Sequence, residues 1–112
     1  LEFRRVLFRS GFTDPLTGEI WFVAHVVMFD TNISERRYYH LISVFDAHMT
    51  QLLRMTPLFT FEQQVIEYSL SIVLRGNEDV CITYSTFDCT TKIGIYSRQD
   101  IESRMIPAAN CV

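Results

Sequence analysis

Apolar and polar side chains alternate with a period of two over much of this chain, the pattern of strands with one face buried. Ile66 to Leu74 sets Ile66, Tyr68, Leu70, Ile72 and Leu74 against Glu67, Ser69 and Ser71. Val80, Ile82 and Tyr84 alternate likewise, and Thr91, Ile93 and Ile95 follow. Ile20 to Phe29 and Arg37 to Phe45 are apolar at most positions and rich in aromatic and β-branched residues, which predicts buried strands. Turn formers separate these runs: Asp14-Pro15 with Gly18, the segment Asp30 to Ser34, Pro57, Gly76-Asn77, and the corner Thr86 to Cys89. Strand spacing of about a dozen residues predicts an all-β sandwich, barrel or propeller. One helix is expected, over Arg98 to Ile106, with Ser97 and Asp100 as its N-terminal cap and Pro107 beyond its end.

Register follows from matching faces, because a slip of one residue sets apolar side chains against polar ones. For the Gly76 turn this predicts Arg75 opposite Asp79, Leu74 opposite Val80, Ile72 opposite Ile82, Leu70 opposite Tyr84 and Glu67 opposite Phe87. In the next hairpin it puts Tyr84 opposite Thr91, Ile82 opposite Ile93 and Val80 opposite Ile95, around the loop Thr86 to Cys89. Glu67 and Asp88 then share one end of a three-stranded sheet. The earlier pair is less constrained, since both of its faces are largely apolar; if Phe29 meets Arg36 across a six-residue loop, then Val27 meets Tyr38, His25 meets His40, Val23 meets Ile42 and Trp21 meets Val44.

Composition narrows the function classes. The formal charge is −3, with acidic residues spread along the chain, so there is no basic footprint for nucleic acid or anionic lipid. The longest apolar runs are about half of the roughly 20 residues a spanning helix needs, so no membrane crossing is expected. Residues 1–10 hold three of the ten basic and one of the thirteen acidic residues; without them the balance is 7 minus 12, or −5. This decamer reads as a non-native leader, either translated linker or a stray transit fragment, which leaves 11–112 as the folded part. Cys81, Cys89 and Cys111 make an odd count with no Cys-x-x-Cys pair and no preceding signal peptide, so no disulfide framework is indicated and a cytoplasmic location is expected. His25, His40 and His48 lack metal-site spacing, and the four glycines form no phosphate loop. No metal and no resident cofactor are expected.

Glu67 and Asp88 are acids within or beside apolar strands that the register brings together, and glycosidic chemistry uses two carboxylates at a set separation. The structural alternative is a solvated Glu67 and an Asp88 that merely forms its turn. His25 and His40 lie in strongly apolar strands, where an imidazole either donates to a substrate hydroxyl or is simply a satisfied core group. Tyr84, with Trp21, Tyr38, Tyr39, Phe59, Phe61 and Phe87, either stacks on sugar rings or fills a β core. Arg36, Arg37 and Lys92 are available to anions, or are ordinary surface charge.

These segments, in their order and spacing, resemble the C-terminal part of five-bladed β-propellers related to the mannoside phosphorylases and hydrolases of glycoside hydrolase family 130, including propellers associated with glycosyltransferases. That pattern runs His-Glu-Val, then Tyr-x-His-Arg-Phe with an aspartate, Pro-Phe-x-Phe, Ile-Glu-Phe-x-x-Gly-Leu and Ile-Ser-Tyr-Gly-x-x-Asp. In this chain Trp21 to Val27 keeps the histidine, as His25, with Val26 in place of glutamate. Tyr38 to Asp46 keeps His40 and Asp46, with Leu41 in place of arginine. Pro57-Leu58-Phe59-Thr60-Phe61 carries the next element with one extra residue, Ile66 to Ile72 keeps Glu67, and Ile82 to Asp88 keeps Tyr84 and Asp88 with Ser85 for glycine.

The resemblance covers about Gly18 to Tyr96. It implies roughly two antiparallel blades of a propeller and a carbohydrate ligand contacted by His25, His40, Glu67, Tyr84 and Asp88. It further implies inverting phosphorolysis or hydrolysis of mannoside-type substrates, with inorganic phosphate as a co-substrate of the phosphorolytic form. The absent Glu and Arg partners favour the alternative, a non-catalytic glycan-binding propeller serving a glycosyltransferase domain. A blade takes about 40 to 50 residues, so residues 11–112 read as a fragment of a closed ring, expected to be inactive by itself.

Overall fold

The computed structural model describes residues 2–8, 11–30, 35–63, 66–87 and 89–110. In chain order its elements are β1 (Glu2–Phe8), β2 (Phe12–Thr13), β3 (Ile20–Asp30), β4 (Glu35–Phe45), β5 (Leu52–Met55), β6 (Glu67–Arg75), β7 (Asp79–Thr86), β8 (Thr90–Ser97), α1 (Arg98–Ser103) and β9 (Ile106–Pro107), followed by a 3-10 turn over Ala108–Asn110. The chain is mostly antiparallel β, as the alternation predicts. One sheet has the order β1-β3-β4-β5-β9, with β2 also on β3, and the other has the order β6-β7-β8.

The two sheets share one apolar layer. Alternation along β3 and β4 puts Trp21, Val23, Ile42 and Val44 on a single face, where they meet Ile72 and Leu74 of β6, Val80 and Ile82 of β7, and Ile101 of α1. Each such aliphatic side chain, fully buried, contributes roughly 1.5–3 kcal/mol. The opposite face of the first sheet carries a second buried cluster of Ala24, Val26 and Leu41.

Charged side chains seal this layer at one end. Arg98 donates to the buried Asp14 carboxylate and to the carbonyl of Gly76, and its guanidinium lies 5.3 Å from the centre of the Trp21 ring. Burial acts on Asp14 to raise its pKa, but the hydrogen bonds from Arg98, the Leu16 amide and Thr17 outweigh it and hold the carboxyl below the usual range. Arg54 forks between Glu19 and Glu102 with four contacts of 2.8–3.0 Å. These pairs tie α1 to the turn before β3.

The β3–β4 register is the expected one, with His25 opposite His40 and Trp21 opposite Val44. Pairing extends one step beyond Phe29 and Arg36 to Asp30 and Glu35, so the connection is shorter than the expected six residues 30–35; residues 31–34 lie outside the described residues. The β6–β7 register holds from Arg75 to Ser71 and then shifts at a bulge, so Ser69 rather than Leu70 faces Tyr84, and Glu67 faces Thr86. The β7–β8 register differs from expectation by one residue throughout: Tyr84 faces Lys92, Ile82 faces Gly94 and Val80 faces Tyr96.

Two local facts account for that slip. Pairing runs on to Thr86 opposite Thr90, and Phe87, just beyond it, takes the left-handed conformation at φ 53°. Tyr96 lies back over Gly94, where a Cβ would sit 2.5 Å from the tyrosine oxygen, so this face of β8 is filled by one ring and a glycine. Ile93 and Ile95 consequently point outward, 66% and 59% exposed. The helix is also shorter than expected. Ser97 caps it through the Asp100 amide as predicted, but it ends at Ser103, and Ile106–Pro107 joins β5 as a strand.

Residues 2–8, within the segment read as a leader, pair with β3 in a register that sets Leu7 opposite His25. Among the described residues no helix is long and apolar enough to cross a membrane. Cys81 and Cys89 are free thiols, and Cys111 lies outside the described residues.

Candidate functional site

Four of the five predicted site residues converge at the end of the shared layer away from Trp21. β3 and β4 put His25 and His40 side by side on the face directed at the second sheet, both fully buried. Glu67, at the start of β6, reaches across so that its Oε1 lies 3.3 Å from His40 Nε2. Tyr84 follows on β7, 8% exposed. Asp88 lies outside the described residues.

Glu67 is neither on a solvated face nor open to a substrate. Its Oε1 also accepts from the Phe61 amide at 3.0 Å, and its Oε2 accepts from the Glu62 amide at 2.7 Å. An ionised carboxylate only accepts, so the contact as a carboxylate–imidazole hydrogen bond requires the Nε2–H tautomer of His40. Burial acts most strongly on His40 and pushes its pKa down to about 4; Glu67 opposes that shift and His25 adds to it. His40 is therefore neutral at neutral pH. Its Nδ1 and the hydroxyl of Ser69 are buried without a hydrogen-bond partner among the described residues. His25 packs edge-on against Tyr68, ring centres 5.1 Å apart.

By holding two consecutive amides, Glu67 folds the segment before β6 across the sheet, and that places its aromatic and acidic side chains. Phe61 stacks on Tyr84 with centres 4.2 Å apart and planes within 9° of parallel, and it lies 4.4 Å from His40. Glu62 turns outward, where it accepts from Tyr84 Oη at 2.8 Å and from Lys92 Nζ at 2.8 Å on both oxygens. Lys92, then Tyr84, hold the Glu62 carboxyl below its ordinary range. Burial, with the Glu62 carboxylate, pushes the Tyr84 hydroxyl up to about 12. Glu62 and Lys92 retain 28% and 39% of their side-chain exposure, so this carboxylate and ammonium are the polar groups of the cluster that solvent reaches.

Sequence reasoning missed Glu62, Tyr68 and Phe61 as members of one unit. The available signal was an acid next to an aromatic pair, Phe59-Thr60-Phe61-Glu62, just upstream of the strand that carries Glu67. Lys92, considered as a partner for anions near the Asp88 loop, is instead committed to Glu62 because the β8 register turns it inward. Of the remaining aromatics, Trp21 and Tyr38 are core residues, and Phe87 is 48% exposed.

Beside this cluster a cleft of about 360 Å³ opens between the end of β5, the β7–β8 face and α1. Phe59 and Tyr96 line it, whereas His25, His40, Glu67 and Tyr84 do not. Among the described residues no three histidine, cysteine or acidic side chains are grouped to hold a metal ion. No protein-family model, curated protein or solved structure matches the chain.

Proposed function

We propose that the chain is part of a carbohydrate-active β-propeller in which this cluster recognises a glycan and does not cleave it. The observation that carries the reading is the division of labour between the two acids. Glu67, the carboxylate expected to serve the sugar, is sealed and occupied by two amides and an imidazole. Glu62 and Lys92 form an accessible charged hydrogen-bonding edge, and beneath it the half-buried Phe61 stacks on the buried Tyr84. Sugars present hydroxyls, so they suit such an edge. Support for the propeller comes from two antiparallel sheets stacked face to face on one apolar layer, the relation between neighbouring blades. A glycosyltransferase domain is the partner this reading supplies.

A glycan array probed with the 112-residue chain tests it. Binding that Glu62→Gln and Lys92→Met each weaken, with unchanged melting temperature, is expected; absence of binding to every glycan would sink the reading. The second reading, phosphorolysis or hydrolysis of mannosides, is favoured by the 3.3 Å contact of His40 with Glu67, a positioned imidazole–carboxylate couple. Incubation of the full-length parent propeller with β-mannosides, with and without inorganic phosphate, decides it. Release of sugar or sugar phosphate supports catalysis, and no turnover leaves recognition alone.

A further inference from the structure

The cleft beside the polar cluster has a chemistry of its own. Its floor is the shared core layer: Ile42, Ile82 and Ile101 present aliphatic surface and are 2%, 1% and 8% exposed. Its walls are the rings of Phe59 and Tyr96, and Leu58, 42% exposed, forms the lip. A volume of about 360 Å³ falls within the range of small-molecule sites.

The polar groups of the lining are accounted for from within. The Thr56 hydroxyl accepts from the Ile42 amide at 3.0 Å, and the Thr56 amide donates to the Ile42 carbonyl at 2.9 Å. At the rim Asp100 and Arg104 form an ion pair at 3.4 Å, so the charges there cancel. The Tyr96 hydroxyl is drawn back over Gly94. A ligand entering the cleft meets aromatic and aliphatic surface with no uncompensated charge, and a charge carried to its floor would lose hydration without gaining a partner. A sugar fits poorly for the same reason, since its hydroxyls would face three isoleucines.

We infer that this cleft, formed by Ile42, Ile82 and Ile101 between the rings of Phe59 and Tyr96, binds a small uncharged aromatic molecule. The site is separate from the Glu62–Lys92 edge and does not depend on the glycan reading.

The test is a methyl-detected NMR titration of the intact chain with indole, set beside tryptamine and indole-3-acetate as its cationic and anionic analogues. Indole is expected to shift the methyl signals of Ile42, Ile82 and Ile101 saturably, with both charged analogues at least about tenfold weaker. Leu58→Ser, at the exposed lip, is expected to weaken indole about fivefold, the effect of losing roughly half of a leucine's burial. Ile101→Phe, which fills the floor, should abolish the shifts; should that variant fail to fold, Leu58→Ser carries the test. The inference is overturned by no saturable shift up to the solubility of indole, by shifts confined to residues outside the cleft, or by charged analogues binding as well as indole.

Discussion

Replacing Glu67 with glutamine removes one charge and exchanges one acceptor for a donor at a site with no solvent exposure. Among the described residues the carboxylate accepts from the Phe61 amide at 3.0 Å and the Glu62 amide at 2.7 Å and lies 3.3 Å from His40 Nε2. A glutamine that keeps its oxygen at the Oε1 position still accepts from Phe61 and His40, but its NH₂ then meets the Glu62 amide, donor against donor. The lost bond to a charged acceptor is worth about 1.5–3 kcal/mol, and the stranded amide adds a desolvation penalty of similar size. Relief from burying a charge offsets part of this, so the net expected loss is about 2–3 kcal/mol. Glu67→Ala strands all three donors and should cost about 3–5 kcal/mol. Glu62→Gln, at a partly exposed ion pair, serves as the control and should stay within about 1 kcal/mol. Urea unfolding followed by circular dichroism measures all three, with an unchanged slope confirming that only stability has moved. A Glu67→Gln midpoint equal to that of the parent would refute the assignment of Glu67 as the anchor of the segment before β6.

The pH dependence has a definite sign. His40 titrates near its ordinary value of 6.5 when unfolded and near 4 when folded, so between these values the unfolded chain binds more protons and stability falls as pH is lowered. The loss should total about 3 kcal/mol by pH 4 in urea titrations, and His40→Gln should flatten that window. Below it Asp14 and Glu19, both held under the usual carboxylate range, add further loss as they protonate. Asp14→Ala leaves the Arg98 guanidinium buried without its carboxylate and should cost about 3–5 kcal/mol, whereas Asp14→Ala with Arg98→Met should recover part of it. If the double variant melts below both single variants, the buried pair is not the source of the effect. Gly94→Ala puts a methyl group where the Tyr96 ring lies and should cost about 1–3 kcal/mol; a second substitution, Tyr96→Ala, should make the alanine at position 94 nearly neutral.

Local pattern and tertiary contact contributed differently to what the sequence could disclose. Along β3 and β4 both faces are largely apolar, so matching faces constrained the pair little; the alignment that follows from setting Phe29 opposite Arg36, with His25 opposite His40, is the observed one. The same matching failed on β8. There Ile93 and Ile95 are the apolar alternation, but Tyr96 with Gly94 fills the inward face, a solution that depends on a ring lying flat over a residue without a side chain. The bulge at Leu70 is likewise invisible to alternation, because it inserts a residue without changing composition. At the candidate site, four of the predicted residues do lie together, yet their role reads differently once Glu67 is seen to spend its oxygens on His40, 27 residues away, and on two loop amides. The pairing of Arg98 with Asp14, one at a helix start and the other in a turn, carried no local signal.

The ion pair between Arg98 and Asp14 spans 84 residues, and its guanidinium also lies against Trp21, the largest side chain of the core. During synthesis β3 and β4 can form a hairpin soon after they leave the ribosome, but the end of the apolar layer beside Trp21 remains open until position 98 has emerged. At 5–20 residues per second the interval between Trp21 and Arg98 is roughly 4 to 15 s. Over that time the nascent chain displays a tryptophan-bearing hairpin surface that chaperones can engage, and closure of so long a loop makes the final sealing slow relative to hairpin formation. Chains stalled before position 98 should therefore be protease-sensitive in β3, while chains extended past it should be protected.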